Sequence, residues 1–198
     1  MPFHIASGII LVIFSIILIR KKRSLTQIHK KAQHLLKGNK PASAKLAEGF
    51  VLFTNYPFII LWFLLTIGFF DHILIEKHIA FSVTGIILML FGITIYGVSV
   101  FQLGIKWRVG IDYDDNDYFV KNGLYQWSRH PAYFGFYLLF CGIMLHYATT
   151  ITIILGLLSI VALVLIAKEE EKYLRYKFKD HYISYQKRVH FVVGKKRV

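Results

Sequence analysis

PAYFGFYLLFCGIMLHYATTITIILGLLSIVALVLIAKEEEKY, residues 131–173, decides the fold. It holds two runs without Asp, Glu, Lys or Arg, Ala132–Tyr147 and Ile151–Ala167, separated by Ala148, Thr149 and Thr150 alone. At about 1.5 Å of rise per residue, each run covers roughly 25 Å, close to the ~30 Å hydrocarbon core of a bilayer. Backbone within lipid must satisfy its own hydrogen bonds, and so short a link joins antiparallel neighbours. A transmembrane helical hairpin over 132–167 follows. Immediately beyond it stand three consecutive acids, Glu169, Glu170 and Glu171.

Working outward, three further uncharged runs appear: Phe3–Ile19, Phe50–Phe70 and Ile79–Leu103. The fold class is therefore all-α and polytopic, with about five transmembrane helices in a single domain, 1–198. The first three spans occupy 1–103, and 104–198 carries the hairpin and a polar tail. Composition agrees, being 56% hydrophobic and 18% charged with mean hydropathy +0.51. Met1–His4 lacks a basic segment, so the first run reads as an anchor rather than a signal peptide.

The net charge of +13 is explained by topology. Of 24 Lys and Arg residues, nine lie between Arg20 and Lys45, four between Lys106 and Arg129, and ten from Lys168 onward; Lys77 alone falls on the other side. The positive-inside rule then places the N-terminus outside and the C-terminus in the cytosol, of a bacterial inner membrane or an endoplasmic reticulum alike. The basic residues meet anionic headgroups, and nucleic acid is not an expected partner. Between the first two spans, Leu25, Ile28, Ala32, Leu35 and Leu36 recur at helical spacing among lysines, which predicts an interfacial helix near 24–37. Gly85, Gly92 and Ser99 share a face of the third span and suit close packing.

Cofactor and metal chemistry is narrowed by what the chain lacks. Its single Cys141 has no thiol partner, and its nine histidines include no pair at ligand spacing with a supporting acid. Asp112, Asp114 and Asn116 imitate the start of a calcium loop, but Asp117 stands where Gly is needed. No G-x-G-x-x-G fingerprint is present. A reactive polar site must instead lie at the cytosolic boundary, where Gly104–Tyr133 and Lys168–Val193 meet the membrane. Arg129 and His130 precede Pro131, which reads as the first residue of a helix, so both sit at the end where free backbone N–H groups favour an anion. Among the acids, Glu169 has Lys172 at i+3 and Glu171 has Arg175 at i+4. Glu170 has neither, and it shares a face with Ile166 and Leu163. It is the acid that helix pairing does not explain.

These motifs, from Gly123-Leu124-Tyr125 through Arg129-His130-Pro131, Tyr133 and Gly135, then Glu169–Glu171, Leu174, Phe178, Tyr182 and Tyr185, resemble the superfamily of isoprenylcysteine carboxyl methyltransferases and phospholipid methyltransferases. The likeness covers roughly Leu103–Val189. It implies that 104–198 is a core binding S-adenosylmethionine at the cytosolic face, with a lipophilic methyl acceptor arriving through the bilayer and no metal. By the same resemblance Asp117, Tyr118, Phe119, Val120, Tyr125, His130, Pro131, Tyr133 and Glu170 contact the cofactor. Arg129, His130 and Glu170 are the expected catalytic set: Glu170 for the cofactor's ammonium or ribose, Arg129 and His130 for its carboxylate, and Tyr125 or Tyr133 for adenine or sulfonium. Lys179 stands where the superfamily usually has Gly. Ile166 stands near where eukaryotic carboxyl methyltransferases place a substrate-binding arginine, which argues against an isoprenylcysteine carboxylate as acceptor. The competing readings are an NADPH-dependent membrane sterol or enone reductase and a non-catalytic scaffold or lipid-binding protein.

Overall fold

A computed structural model describes residues 2–29, 35–70, 79–107, 110–111 and 119–194. Five α-helices make up most of the described regular structure, with two short 3₁₀ turns between the third and fourth: α1 (Pro2–His29), α2 (Ala42–Thr66), α3 (Ile79–Leu103), α4 (Pro131–His146) and α5 (Thr150–Arg188). All five expected spans are helical. Large apolar side chains such as Ile9, Phe53, Phe91, Phe101 and Leu157 face outward, as a lipid solvent allows. The buried interior is aromatic, with Phe14, Phe58, Trp62, Tyr96 and Phe140 at its centre.

The α4–α5 hairpin turns where the sequence places it. Thr149 and Thr152 form a reciprocal capping box: each side chain accepts from the other residue's backbone N–H, at 3.0 and 2.9 Å. α5 (39 residues) then runs through its apolar part, ending at Ala167, into a polar arm that breaks at Lys179 and folds back, so that Gln186 reaches Glu171.

α3 and α4 make the tightest contact in the bundle. A Cβ added to Gly92 would lie 2.7 Å from the Gly135 carbonyl oxygen, and one added to Gly135 would lie 2.8 Å from that of Gly92. Gly85 and Gly142 oppose each other in the same way one heptad along. Glycine here permits backbone-to-backbone contact, which drives association where the hydrophobic effect does not. α1 touches α2 far more sparingly.

Two features differ from the sequence reading. The backbone stays helical through His29, so residues 24–29 extend α1 instead of opening a separate interfacial helix; 30–34 lie outside the described residues, and Leu35 and Leu36 form a turn. Inside α5, Lys179 adopts the non-helical φ 43°, ψ −123°, a kink that separates two helical stretches. This conformation favours glycine, the residue usual at this position in the resembled superfamily.

Two stability outcomes follow. Lys179→Gly relieves that strain and raises stability by about 1 kcal/mol. Gly92→Val forces α3 from α4 and costs about 3 kcal/mol or prevents assembly, whereas Gly8→Ala, whose added carbon meets only the Thr66 methyl at 3.4 Å, is neutral. Thermal unfolding in nanodiscs followed by circular dichroism checks all three.

Candidate active site

The segment before α4 is built to present two side chains. Gly123, at φ 63°, packs against the Gln102 side chain, whose Oε1 accepts from Leu124 N at 2.9 Å. This fixes a short 3₁₀ turn, Gly123–Gln126, and buries Tyr125. Ser128 Oγ accepts from His130 N at 3.1 Å, and Pro131 starts α4 as expected.

Glu171 is the hub. Its Oε1 accepts from Arg129 Nε at 2.5 Å and lies 3.3 Å from His130 Nε2, while Oε2 accepts from Gln186 Nε2 at 3.0 Å. Arg129 Nη1 donates onward to the carbonyls of Val189 and Gln186 at 2.7 and 3.3 Å, and its backbone N–H to that of His190 at 3.1 Å. Gly194 N in turn donates to Trp127 O, so residues 189–194 fold back along 127–129, and Phe191 lies 4.8 Å from the His130 ring. Burial alone would raise the Glu171 carboxyl, but the hydrogen bonds and charges of His130 and Arg129 outweigh it and hold it below its ordinary 4.5.

With Glu171 turned to Arg129, the neighbouring Glu170 faces elsewhere. Its carboxylate is 38% exposed and stands 3.7 Å from His130 Nδ1. It opens into a cavity of about 490 Å³ bounded by all five helices and the α3–α4 connection. Phe119, Val120, Tyr125, Arg129, His130, Tyr133 and Glu170 all line it. Pro131 is buried at the helix start but is not among the lining residues. Asp117 and Tyr118 lie outside the described residues.

Several lining residues had no assigned role in the sequence reading. Tyr182 and Tyr185 pack edge-on and tilted around Phe119, at 5.3 and 5.4 Å between centroids, and the Tyr185 hydroxyl donates to Tyr125 O at 2.5 Å. Their recurrence with Leu174 and Phe178 on the Glu171 face was a signal that marked them as inward-facing. Burial, and then the charge of Glu170, push the Tyr125 hydroxyl well above its ordinary range, so it stays a neutral hydrogen-bond donor. At the other end the cavity is apolar, lined by Phe14, Leu18, Ile59, Phe136 and Leu163. It reaches the lipid face beside Tyr56 and Ile60, which are 47% and 58% exposed.

A polar, aromatic head at one end and an apolar body at the other make up a single cavity in a bundle of membrane-spanning helices. Residues 80–181 match the phospholipid methyltransferase family, and the chain belongs to it. The fold is similar to that of a eukaryotic intramembrane Ras methyltransferase, isoprenylcysteine carboxyl methyltransferase. That likeness has a TM-score of 0.55 at 16% identity and covers 99% of this chain and 70% of the other. No curated protein matches the chain in sequence at a significant level.

Glu171→Gln leaves the buried Arg129 without its counter-charge and lowers stability by about 3 kcal/mol at pH 7. Because the native carboxyl is depressed, its contribution is present above pH 4.5 and is lost as pH falls through the folded-state value below it. Melting curves of wild type and Glu171→Gln in nanodiscs therefore stay apart above pH 4.5 and converge below it.

Proposed function

We propose that the protein transfers a methyl group from S-adenosylmethionine to a lipophilic acceptor at the cytosolic membrane face. The carrying observation is that one cavity joins the Glu170, His130, Tyr125 and Tyr133 cluster to an apolar chamber open to lipid. The distribution of basic residues supports the orientation with the N-terminus outside.

The donor set fits the cofactor's chemistry. Arg129 and Glu171 neutralise one another, which leaves the Glu170 carboxylate as the cavity's acidic group, suited to an ammonium or a ribose. Tyr125, Tyr133, Tyr182 and Phe119 offer faces to adenine and to a sulfonium, a cation that aromatic rings attract. Arg129 and His130 stand at the α4 N-terminus, suited to the carboxylate. Arg129 Nε and Nη1 are already engaged, so its primary contribution is to position His130 and Glu170, and Nη2 remains for the ligand. Asp117, Tyr118 and Pro131 belong to the same proposed cofactor set through the family resemblance. When bound, S-adenosylmethionine supplies an electrophilic methyl group.

The chain's own task is alignment and exclusion of water. The aromatic cluster covers the head of the cavity, and the chamber between α1, α2 and α5 holds the acceptor's apolar part. Asn55, buried on α2 and lining this chamber, offers a polar group to read an oxygen or nitrogen on the acceptor. An acceptor that arrives ionised needs no base. An amine or thiol needs a proton removed, and the His130 ring is the described group placed to take it. Ile166 lines the cavity where the resembled carboxyl methyltransferases place a substrate-binding arginine, which disfavours an isoprenylcysteine carboxylate as the acceptor.

The test is calorimetry on the purified protein in nanodiscs, with NADPH as the parallel ligand. Wild type binds S-adenosylmethionine saturably and does not bind NADPH; Glu170→Ala inserts and folds normally but loses the binding and all methyl transfer. Unchanged binding by a folded Glu170→Ala protein removes the proposed role of Glu170. NADPH binding in place of S-adenosylmethionine establishes the reductase reading instead.

A further inference from the structure

Outside the cavity, the most completely buried charge in the described residues is Glu48, on the second turn of α2 and at 0% exposure. Its carboxylate collects three donors from three places. Oε1 accepts from Lys40 Nζ at 2.7 Å and from Ile111 N at 2.9 Å, and Oε2 accepts from Leu36 N at 2.7 Å. Lys40 belongs to the segment joining α1 to α2, and Ile111 to the connection between α3 and α4. Neither connection has regular structure at these points, and apart from Glu48 no described hydrogen bond holds Ile111 N or Leu36 N.

Buried ion pairs are poor devices for stability, because the cost of dehydrating both charges offsets most of their attraction. The two backbone donors give this one a different value. An acid offers acceptors on both oxygens, whereas an amide presents N–H groups on one side. Only a carboxylate satisfies Leu36 N, Lys40 and Ile111 N together. Glu48 does not reach the cavity, but what it holds does: Leu35, Gly110 and Ile111 line it. Ile111 also packs against Ile166 and Tyr173, which flank Glu170 along α5.

We infer that Glu48 is a positioning residue for the ligand head of the cavity, fixing through its carboxylate the Leu35 and Ile111 walls of that cavity. The inference rests on the proposed reading of the cavity as a cofactor site. It predicts that removing one acceptor oxygen loosens these walls and weakens binding without unfolding the bundle.

The experiment measures S-adenosylmethionine binding by calorimetry in nanodiscs for wild type, Glu48→Gln and Thr149→Ala. The last removes the α5 cap at the opposite membrane face and costs stability, about 1 kcal/mol, with no route to the cavity. The expected result is a Kd raised at least tenfold in Glu48→Gln with unchanged stoichiometry and helicity, while Thr149→Ala melts lower and binds as wild type. A Glu48→Gln Kd equal to wild type, or one raised to the same degree in Thr149→Ala, overturns the inference. Should Glu48→Gln fail to fold, Glu48→Asp keeps a charge for Lys40 but, one methylene shorter, does not span Leu36 N and Ile111 N together; a Kd raised at least tenfold is expected there, and a wild-type Kd overturns the inference. Absence of binding in wild type itself contradicts the parent reading, an outcome separate from these.

Discussion

The Arg129–Glu171 ion pair is the interaction on which the rest of the site depends. It ties the segment leading into α4 to the polar arm of α5, and through a second nitrogen of the guanidinium it captures the backbone carbonyls of Gln186 and Val189. Successive helical residues are turned by about 100°, so fixing Glu171 toward Arg129 fixes Glu170 toward the cavity. One of three adjacent acids is thereby turned to the cavity while its neighbours are neutralised, Glu169 by Lys172 and Glu171 by Arg129.

The bilayer supplies the second constraint. Helices in lipid associate where their backbones approach, and the glycines of α3 and α4 give that pair its close contact. The pair is the rigid wall on which Tyr96, Tyr133 and Phe136 are mounted. α1 and α2 have no such facing glycines, and the space between them is the cavity's apolar half. Tight packing on one side and sparse packing on the other convert a five-helix bundle into a vessel open to lipid. The long α5, half in hydrocarbon and half beyond it, lets a single helix line both the apolar chamber with Leu163 and the polar head with Glu170.

Much of this was legible in the chain because the membrane writes a strong signal. Uncharged runs of 16 to 25 residues located every helix, and Pro131 marked the start of α4. Glu170 was found by elimination, since a missing i+3 or i+4 cation is visible in sequence. The role of Glu171 was not, because Arg175 at i+4 supplied a sufficient local partner while the stronger one, Arg129, is 42 residues away. Glu48 was missed for a related reason: it sits just ahead of the second uncharged run, and two of its three partners are backbone N–H groups, which carry no residue signature. The expected surface helix near 24–37 rested on apolar spacing alone, and such spacing does not reveal that α1 continues unbroken to His29. Lys179 is the converse case: a departure from the family pattern visible in the sequence falls on a positive-φ backbone that only the structure reveals.

The central claim is that the cavity joins a methyl donor in its polar head to an acceptor supplied by the bilayer. It is tested most directly by incubating membranes containing the protein with S-adenosylmethionine carrying a tritium-labelled methyl group and extracting them with organic solvent. The account predicts label in a lipid-soluble product that depends on the protein and is absent with Glu170→Ala. Label confined to the aqueous phase, or equal incorporation by the variant, would contradict it.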